Sequence, residues 1–255
     1  MNAVKACALD PMPFVKAFDL AARARGFRAE PLATVAGIPL SAYTHRASGP
    51  RPRIYLSSGV HGDEPAAPAA LLHLLETGVF DDRAHWFLCP LLNPTGFQLG
   101  TRENAAGVDL NRDYREPISD EITAHIRWLD RQPNFDLTFC LHEDWETKGF
   151  YLYELNPDAR PSLADTMIAA ARREGEIETA PLIDGRESTA HGIIRPDIDP
   201  LLREQWPEAI YLRQHHCRLG YTLETPSVAP LTQRISIQAA AVRAALAEFL
   251  LTRWA

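Results

Sequence analysis

The sequence is poor in cysteine, in long apolar runs and in clustered basic charge, and each shortage excludes a class of protein. Its four cysteines among 255 residues include no Cys-x-x-Cys pair. Neither a disulfide framework nor a cysteine-based metal site is therefore expected. Because Cys89 and Cys140 lie inside apolar, strand-like segments, we expect buried free thiols at both positions.

No apolar run approaches the roughly 18 residues needed for a membrane span. The first ten residues lack the apolar core and cleavage site of a secretory signal, so we expect a cytoplasmic protein with no membrane partner. The formal net charge is -7 and the 26 Lys and Arg residues are scattered, which argues against a nucleic acid partner. Any site that binds an anion must then be a local group of arginines.

The chain does have enough apolar sequence for one sizeable core. Hydrophobic residues make up 46% of it, and no linker or repeat divides them, so a single α/β domain is expected. Within this domain we distinguish an N-terminal helix and hairpin in residues 1–50 from a catalytic core in residues 51–255. Helical and strand-like segments mostly alternate, which predicts a central mixed, largely parallel sheet flanked by helices.

Apolar spacing predicts the individual elements. Helices are predicted over residues 13–28, 66–75, 118–129, 163–174 and 235–251. Strands are predicted over residues 32–35, 40–45, 54–56, 85–92, 135–142, 151–155, 210–212 and 221–226. The polar, glycine-punctuated segment 101–114 predicts an irregular functional loop. The segment 182–202, which contains glycines and prolines but no period, predicts a long loop that serves as a lid.

The most informative turn follows the predicted strand at residues 54–56. His61 and Glu64 lie between this strand and the helix that comes next. Open α/β sheets place ligands at the carboxyl ends of strands, and imidazole and carboxylate are common zinc ligands. Taken alone, the same turn also fits a solvated segment in which Asp63 and Glu64 complement a helix N-terminus. A third ligand is needed to decide between these interpretations.

Two further predicted strands end in residues of these types. One delivers His142 at its carboxyl end, and the last delivers Glu224. Two histidines and one carboxylate, here His61, Glu64 and His142, form the ligand set of a hydrolytic zinc site that keeps one position for water. We therefore predict one zinc ion per chain. Glu224 remains as the general base that activates the zinc-bound water.

Two more motifs complete the pattern: Asn-Pro-Thr-Gly at residues 93–96 and Gly-Val-Asp-Leu-Asn-Arg at residues 107–112. In this order, the motifs between residues 54 and 225 resemble the zinc carboxypeptidase family. Relatives of that family include the murein-peptide amidases and the aspartoacylase and succinylglutamate desuccinylase enzymes. The hexapeptide is the most specific part of the resemblance, which implies a central mixed sheet flanked by helices and the same metal ligands and base.

The resemblance also implies roles for four residues of the polar loop. Arg102 corresponds to an arginine that polarises the scissile carbonyl, and Asp109 to an acid that supports a histidine ligand. Asn111 and Arg112 match the pair that holds a substrate carboxylate, to which a guanidinium offers two parallel donors. The family's substrate-binding tyrosine remains open among Tyr151, Tyr153, Tyr211 and Tyr221.

The other acids and histidines receive structural interpretations. The acids that follow the second predicted histidine ligand, Glu143, Asp144 and Glu146, are predicted to form a solvated turn, and Asp144 is the one that can lie near the metal. His191 and the histidine pair at residues 215–216 are predicted to be surface residues or structural donors.

Together these features predict a zinc-dependent hydrolase of peptide or amide bonds next to a free carboxylate, with a small peptide or an N-acyl amino acid as substrate. One alternative is an N-acyl amino acid deacylase, and another is a non-catalytic module that binds metal or carboxylate. Because a binding module needs no general base, Glu224 favours an enzyme. The loop between residues 93 and 111 is shorter than in digestive-type carboxypeptidases, which leaves the exopeptidase assignment open.

Overall fold

The computed structural model describes residues 9–196, 199 and 202–253, so Cys7 lies outside the described residues. The helices are α1 (Pro11–Ala24), α2 (Ala66–Glu76), α3 (Pro94–Leu99), α4 (Asp120–Leu129), α5 (Ala164–Ala171), α6 (Glu208–His215) and α7 (Leu231–Arg253). The strands are β1 (Arg28–Val35), β2 (Ile38–His45), β3 (Arg53–Ser58), β4 (His85–Cys89), β5 (Leu137–Asp144), β6 (Tyr151–Leu155), β7 (Leu182–Ile183), β8 (Arg186–Glu187), β9 (Ile193–Ile194) and β10 (Gly220–Pro226). A 3-10 turn covers Leu110–Arg112.

Among the described residues, eight strands form one mixed sheet in the order β1-β2-β4-β3-β5-β10-β6-β9. Its centre is parallel, because β3 pairs in parallel with β4 and β5, and β5 does so with β10. The β1–β2 hairpin pairs antiparallel with β4, and β6 pairs antiparallel with β10. The predicted mixed α/β fold in a single domain is confirmed. The hairpin belongs to the same sheet as the core, and the predicted division near residue 50 stays a prediction.

The central strands are buried on both faces, as strands covered by helices are. On β3, Ile54 and Leu56 face a core built with α1, α2, α5 and α7. Tyr55, between them, faces a second core built with α4 and α6. Since both faces are covered, polar side chains from these strands can reach solvent only at the strand ends.

The prediction of a strand over residues 210–212 is wrong, because these residues lie in α6. Pro207 precedes the helix and Glu208 lies in its first turn, while Arg213 and His215 lie in its last turn. This charge order complements the helix dipole. Three consecutive residues of α6 are buried, namely Ile210, Tyr211 and Leu212. Their sequence therefore resembles the continuous apolar run of a buried strand.

The other predicted elements are present, with shifted ends. α1 stops at Ala24 rather than at residue 28, because Gly26, with a φ of 78°, turns the chain into β1. The Asn-Pro-Thr-Gly motif at residues 93–96 caps and opens the short helix α3. The predicted free thiols are confirmed, since Cys89 and Cys140 are both free and buried.

The predicted loop at residues 182–202 contains short strands. β7 and β8 pair as a hairpin through Asp184 and Gly185, both at positive φ, and β9 pairs with β6. Residues 197, 198, 200 and 201 of the predicted loop lie outside the described residues, and its action as a lid stays a prediction. In the part of the chain that the structure describes, no helix is both long and apolar enough to cross a membrane.

Candidate metal centre

The strands β3, β5 and β10 lie side by side and in parallel, so their carboxyl ends meet at one edge of the sheet. His61 and Glu64 follow the end of β3. His142 lies near the end of β5 and pairs with Glu224 of β10 in the parallel register. The fold therefore brings the three predicted ligands and the predicted base to the edge where α/β sheets place their sites.

His61, Glu64 and His142 converge on one point. His61 Nδ1 lies 2.5 Å from Glu64 Oε1, and His142 Nδ1 lies 3.0 Å from Glu64 Oε2. One potential ligand atom from each residue lies within 4.8 Å of the other two, and no side chain of the three is more than 4% exposed. The chemistry and closeness of these donors fit a divalent metal ion.

The turn that carries the first two ligands is shaped by backbone packing. Gly62 lies so close to Gly96 that a Cβ on Gly62 would come within 1.9 Å of the Gly96 carbonyl carbon. The side chain of Asn93 donates to Val60 O at 3.2 Å and accepts from Gly96 N–H at 2.8 Å. The Asn-Pro-Thr-Gly motif therefore clamps the ligand turn.

Opposite charges compensate one another in this cluster. Burial disfavours the charged form of Glu64, but the imidazoles of His61 and His142 outweigh it and lower the pKa of Glu64 to about 2. Burial also disfavours a charged His61, but Glu64 and Asp109 raise its pKa to about 9. The metal-free cluster therefore keeps a proton that a divalent cation must displace.

Glu224 has a different electrostatic environment from Glu64. Burial raises its pKa most, His142 lowers it, and neighbouring carboxylates raise it further, so that the pKa of Glu224 is about 8. A carboxyl group with a pKa near the working pH can both accept and release a proton. The role of Glu224 as the general base stays a prediction.

Asp109 and Arg102 reach the cluster from the polar loop. Asp109 Oδ1 lies 3.3 Å from His61 Nε2, and Asp109 Oδ2 accepts a hydrogen bond from Arg102 Nε at 3.0 Å. Burial opposes the charge of Asp109, but His61 and Arg102 hold its pKa well below the ordinary value. A charged carboxylate in this position can orient the His61 ring. The structure brings both residues to the site, and their roles stay predictions.

Asn111 and Arg112 lie on the 3-10 turn in the wall of the site. Asn111 Oδ1 accepts the backbone N–H of Glu208 at 2.9 Å, so it satisfies a donor at the start of α6. Arg112 donates from Nη1 to Asn111 O at 2.9 Å, and its side chain is exposed. Arg112 therefore retains donors for a ligand, whereas the oxygen of the Asn111 side chain is already engaged.

The site opens into a cavity of about 800 Å³, which accommodates a small peptide or an acylated amino acid. Its lining includes six arginines: Arg102, Arg112, Arg186, Arg195, Arg203 and Arg213. Tyr151 and Tyr153 line it as well, and Tyr151 pairs with Glu224 in the antiparallel register. All four tyrosines considered from the sequence donate their hydroxyl groups to carboxylates. Tyr211 and Tyr221 do not line the cavity, so position alone favours Tyr151 and Tyr153 as candidates for the substrate-binding tyrosine.

The prediction of a solvated acidic turn is wrong for Glu143. Its Oε1 accepts Ala66 N–H at 2.6 Å, and its Oε2 forms an ion pair with the buried Arg234. β5 continues through Asp144, and this continuation is the sequence signal for an inward-facing residue after His142. Glu146 is exposed, as predicted.

The other histidines considered from the sequence lie outside the metal-binding cluster. His191 and His215 are exposed. His216 is buried, and its Nε2 lies 3.6 Å from Asp130 Oδ1. These positions agree with surface and structural interpretations.

Residues 50–250 match the family model of the succinylglutamate desuccinylase/aspartoacylase catalytic domain. The chain belongs to this family. Carboxypeptidase SOL1 from Arabidopsis thaliana is 33% identical over 104 residues, which cover 32% of this chain and 21% of that protein. Murein peptide amidase A from Escherichia coli is 42% identical over 72 residues, which cover 28% of this chain and 29% of that protein. The matches thus span less than a third of these relatives' lengths.

Solved structures match over most of the chain. A candidate metallopeptidase from Shewanella amazonensis superposes with a TM-score of 0.79 and 25% identity, over 93% of this chain and 92% of that one. A metallo-carboxypeptidase from Burkholderia cenocepacia, at 20% identity, has the same fold, with a TM-score of 0.69 over 94% of this chain and 69% of that one. The resemblance to the zinc carboxypeptidase-like family that was seen in the sequence is confirmed.

Proposed function

We propose that this chain is a zinc-dependent hydrolase that cleaves an amide bond next to a free carboxylate. The observation that carries the proposal is the convergence of His61, Glu64 and His142 within 4.8 Å, with Glu224 beside His142 on the neighbouring strand. Two imidazoles and one carboxylate suit zinc in a catalytic site. Membership of a hydrolase family supports the same conclusion.

His61, Glu64 and His142 would hold the ion. When bound, zinc supplies a Lewis acid that polarises a carbonyl group and makes water more acidic. Asp109, 3.3 Å from His61 Nε2, fixes the orientation of that ring and leaves Nδ1 for the ion.

Glu224 accepts a proton from the attacking water and delivers it to the leaving amine. Its raised pKa, about 8 in the metal-free chain, suits both steps, and such transfers contribute roughly 10²–10⁴-fold to rate. Arg102 is bound by Asp109 through Nε, and its Nη1 lies 3.3 Å from His61 Nδ1, so Nη2 would donate to the oxygen on which negative charge develops.

Arg112 would bind the substrate carboxylate, since its guanidinium is exposed in the cavity lining. The test compares each substrate as a free acid and as its amide, in wild type and in Arg112→Ala. A charge-assisted hydrogen bond contributes roughly 1.5–3 kcal/mol, so wild type should prefer the free acid by at least about 10-fold in kcat/KM. The variant should lose this preference.

The matched control is Arg115→Ala, which removes a guanidinium three residues away that donates to Arg203 O. This control should keep the wild-type preference for the free acid. If wild type and Arg112→Ala treat both forms equally, Arg112 is a structural arginine and substrate recognition lies elsewhere.

A second candidate is an N-acyl amino acid deacylase, which the family model over residues 50–250 favours. The same residues would serve it, because in both reactions the carboxylate beside the scissile amide meets Arg112. A panel of small peptides and N-acyl amino acids of matched size separates the two by kcat/KM. Bound zinc without turnover on either set would favour the non-catalytic module instead.

A further inference from the structure

The last helix, α7, places a buried amide directly behind the proposed metal site. Gln238 is 0% exposed, and its Nε2 donates to His142 O at 2.8 Å and to Thr225 Oγ1 at 2.9 Å. One amide group thus joins β5 at a proposed ligand to β10 at the residue that follows Glu224. Since Glu224 and His142 are register partners, this bridge lies where the distance between the base and the metal is set.

A second buried contact of α7 lies one turn earlier. Arg234 is 5% exposed and forms an ion pair with Glu143, whose other oxygen accepts Ala66 N–H at 2.6 Å. Ala66 begins α2 two residues after Glu64. The pair therefore connects the strand of one proposed ligand to the turn of another, while Gln238 connects the ligand strand to the base strand.

Stability alone gives little reason for these polar side chains. The surrounding face of α7 packs through apolar residues such as Ile237, Val242 and Leu246. Burying an amide or an ion pair costs free energy that hydrogen bonds only offset, and apolar replacements of buried ion pairs are often neutral or stabilising. The polar groups instead orient the strand ends, because hydrogen bonds are directional and apolar contacts are not.

We propose that Gln238 and Arg234 are positioning residues that hold the metal ligands and the base in register from behind the site. This inference rests on the proposed zinc-hydrolase function. Gln238 positions His142 relative to Glu224, and Arg234, through Glu143, positions His142 relative to Glu64. Neither residue contacts substrate in this role.

The test measures zinc affinity by competition with a chromophoric chelator, together with kcat and KM. Gln238→Met keeps the side-chain length and removes the donors. Its control is Gln233→Met on the same helix, which removes an exposed hydrogen bond from Nε2 to Glu174 O at 3.0 Å that involves no proposed ligand or base. Gln238→Met should weaken zinc binding and lower kcat by about 10–100-fold each, the range for groups that orient ligands, with KM little changed. Gln233→Met should match wild type.

Two further variants keep the inference testable if Gln238→Met fails to fold. Thr225→Val removes the β10 acceptor of Gln238 and a long hydrogen bond from Thr225 Oγ1 to His142 O at 3.5 Å, but it leaves the bond from Gln238 to His142 O, so it should lower kcat about 10-fold while zinc affinity changes less than 3-fold. Arg234→Met should weaken zinc binding about 10-fold or more. Its control is Arg243→Met, elsewhere on α7, which removes a hydrogen bond to Thr77 and should leave zinc binding unchanged.

The outcomes distinguish a failure of the proposed function from a failure of the positioning role. If wild type binds no zinc, the proposed function fails first. If wild type binds zinc but Gln238→Met and Arg234→Met match their controls in zinc affinity and kcat, the positioning role is overturned and α7 is only a packing element. Losses confined to the two site-facing variants support it.

Discussion

The buried histidines at the strand ends and the buried histidine on α4 have neighbours that give them opposite properties. His61 and His142 lie at the strand ends among carboxylates, and the pKa of His61 is raised to about 9. His125, on α4, is 0% exposed and lies between two tyrosine hydroxyls. Burial and the charge of His216 lower the pKa of His125 to about 3.

The hydrogen bonds around His125 specify a neutral ring. Tyr55 donates its hydroxyl to Glu208 Oε1 at 2.6 Å, so it accepts from His125 Nε2–H at 3.0 Å. Tyr114 can then donate to Nδ1 at 2.8 Å. Both ring nitrogens are used, and no carboxylate touches them directly. Burial alone therefore does not make a histidine a candidate metal ligand, and the carboxylates at hydrogen-bond distance distinguish the strand-end histidines from His125.

The most direct test of this difference replaces one strand-end histidine and, separately, the histidine on α4. His142→Ala should lose nearly all bound zinc and all measurable turnover, because two ligands cannot hold a catalytic ion. His125→Ala should keep about one zinc per chain while it loses stability. Metal analysis of the two purified variants checks this. Equal zinc content in both would remove the ligand assignment.

The next largest effect concerns Glu224. Glu224→Gln should fold and bind zinc as wild type does but lose about 10²–10⁴-fold in kcat, because an amide accepts no proton. Steady-state kinetics on zinc-loaded protein tests it. Near-normal turnover in that sample would assign the base role to another carboxylate of the cavity.

The smallest effect tests the pH behaviour of His125. Its folded pKa of about 3 lies below the unfolded value of 6.5. Below pH 6.5 the unfolded chain therefore binds more protons than the folded chain, and the free energy of unfolding decreases as the pH is lowered. Between pH 6.5 and 5 this contributes a loss of roughly 1–2 kcal/mol in the free energy of unfolding.

His125→Gln should lack that component while it keeps amide hydrogen-bonding groups near the tyrosines. Denaturant unfolding of wild type and variant at both pH values gives the difference. Parallel pH dependence in the two proteins would show that His125 titrates normally in the folded state.

Local patterns were sufficient to predict which residues converge in the candidate metal site. Strands ending in His61, His142 and Glu224 are recognisable from apolar runs, and parallel strands necessarily bring such ends together. The same patterns failed where burial was continuous, as in α6, whose apolar triplet fits a strand as well as a helix. Asn111 shows a subtler limit, since its contact with the start of α6 depends on a helix that the sequence did not predict.

Contacts between distant segments could not be predicted. Gln238 is 96 residues from His142 and Arg234 is 91 residues from Glu143. The spacing of α7 shows that it is helical, but not which strand ends its polar residues meet. For Glu143, the continuation of β5 was the only local sign, because its acidic neighbours suggest solvent.

The contact between Gly62 and Gly96 bears on how the proposed metal site would be filled. Main-chain packing and the side chain of Asn93 hold the ligand turn, and the donor atoms lie within 4.8 Å of one another. If this turn is set by its own packing, the ordering entropy of the ligands is lost when the chain folds and not when the ion binds. A zinc ion would then meet a preorganised receptor, and its capture would be limited by proton release and access through the cavity instead of by a conformational search.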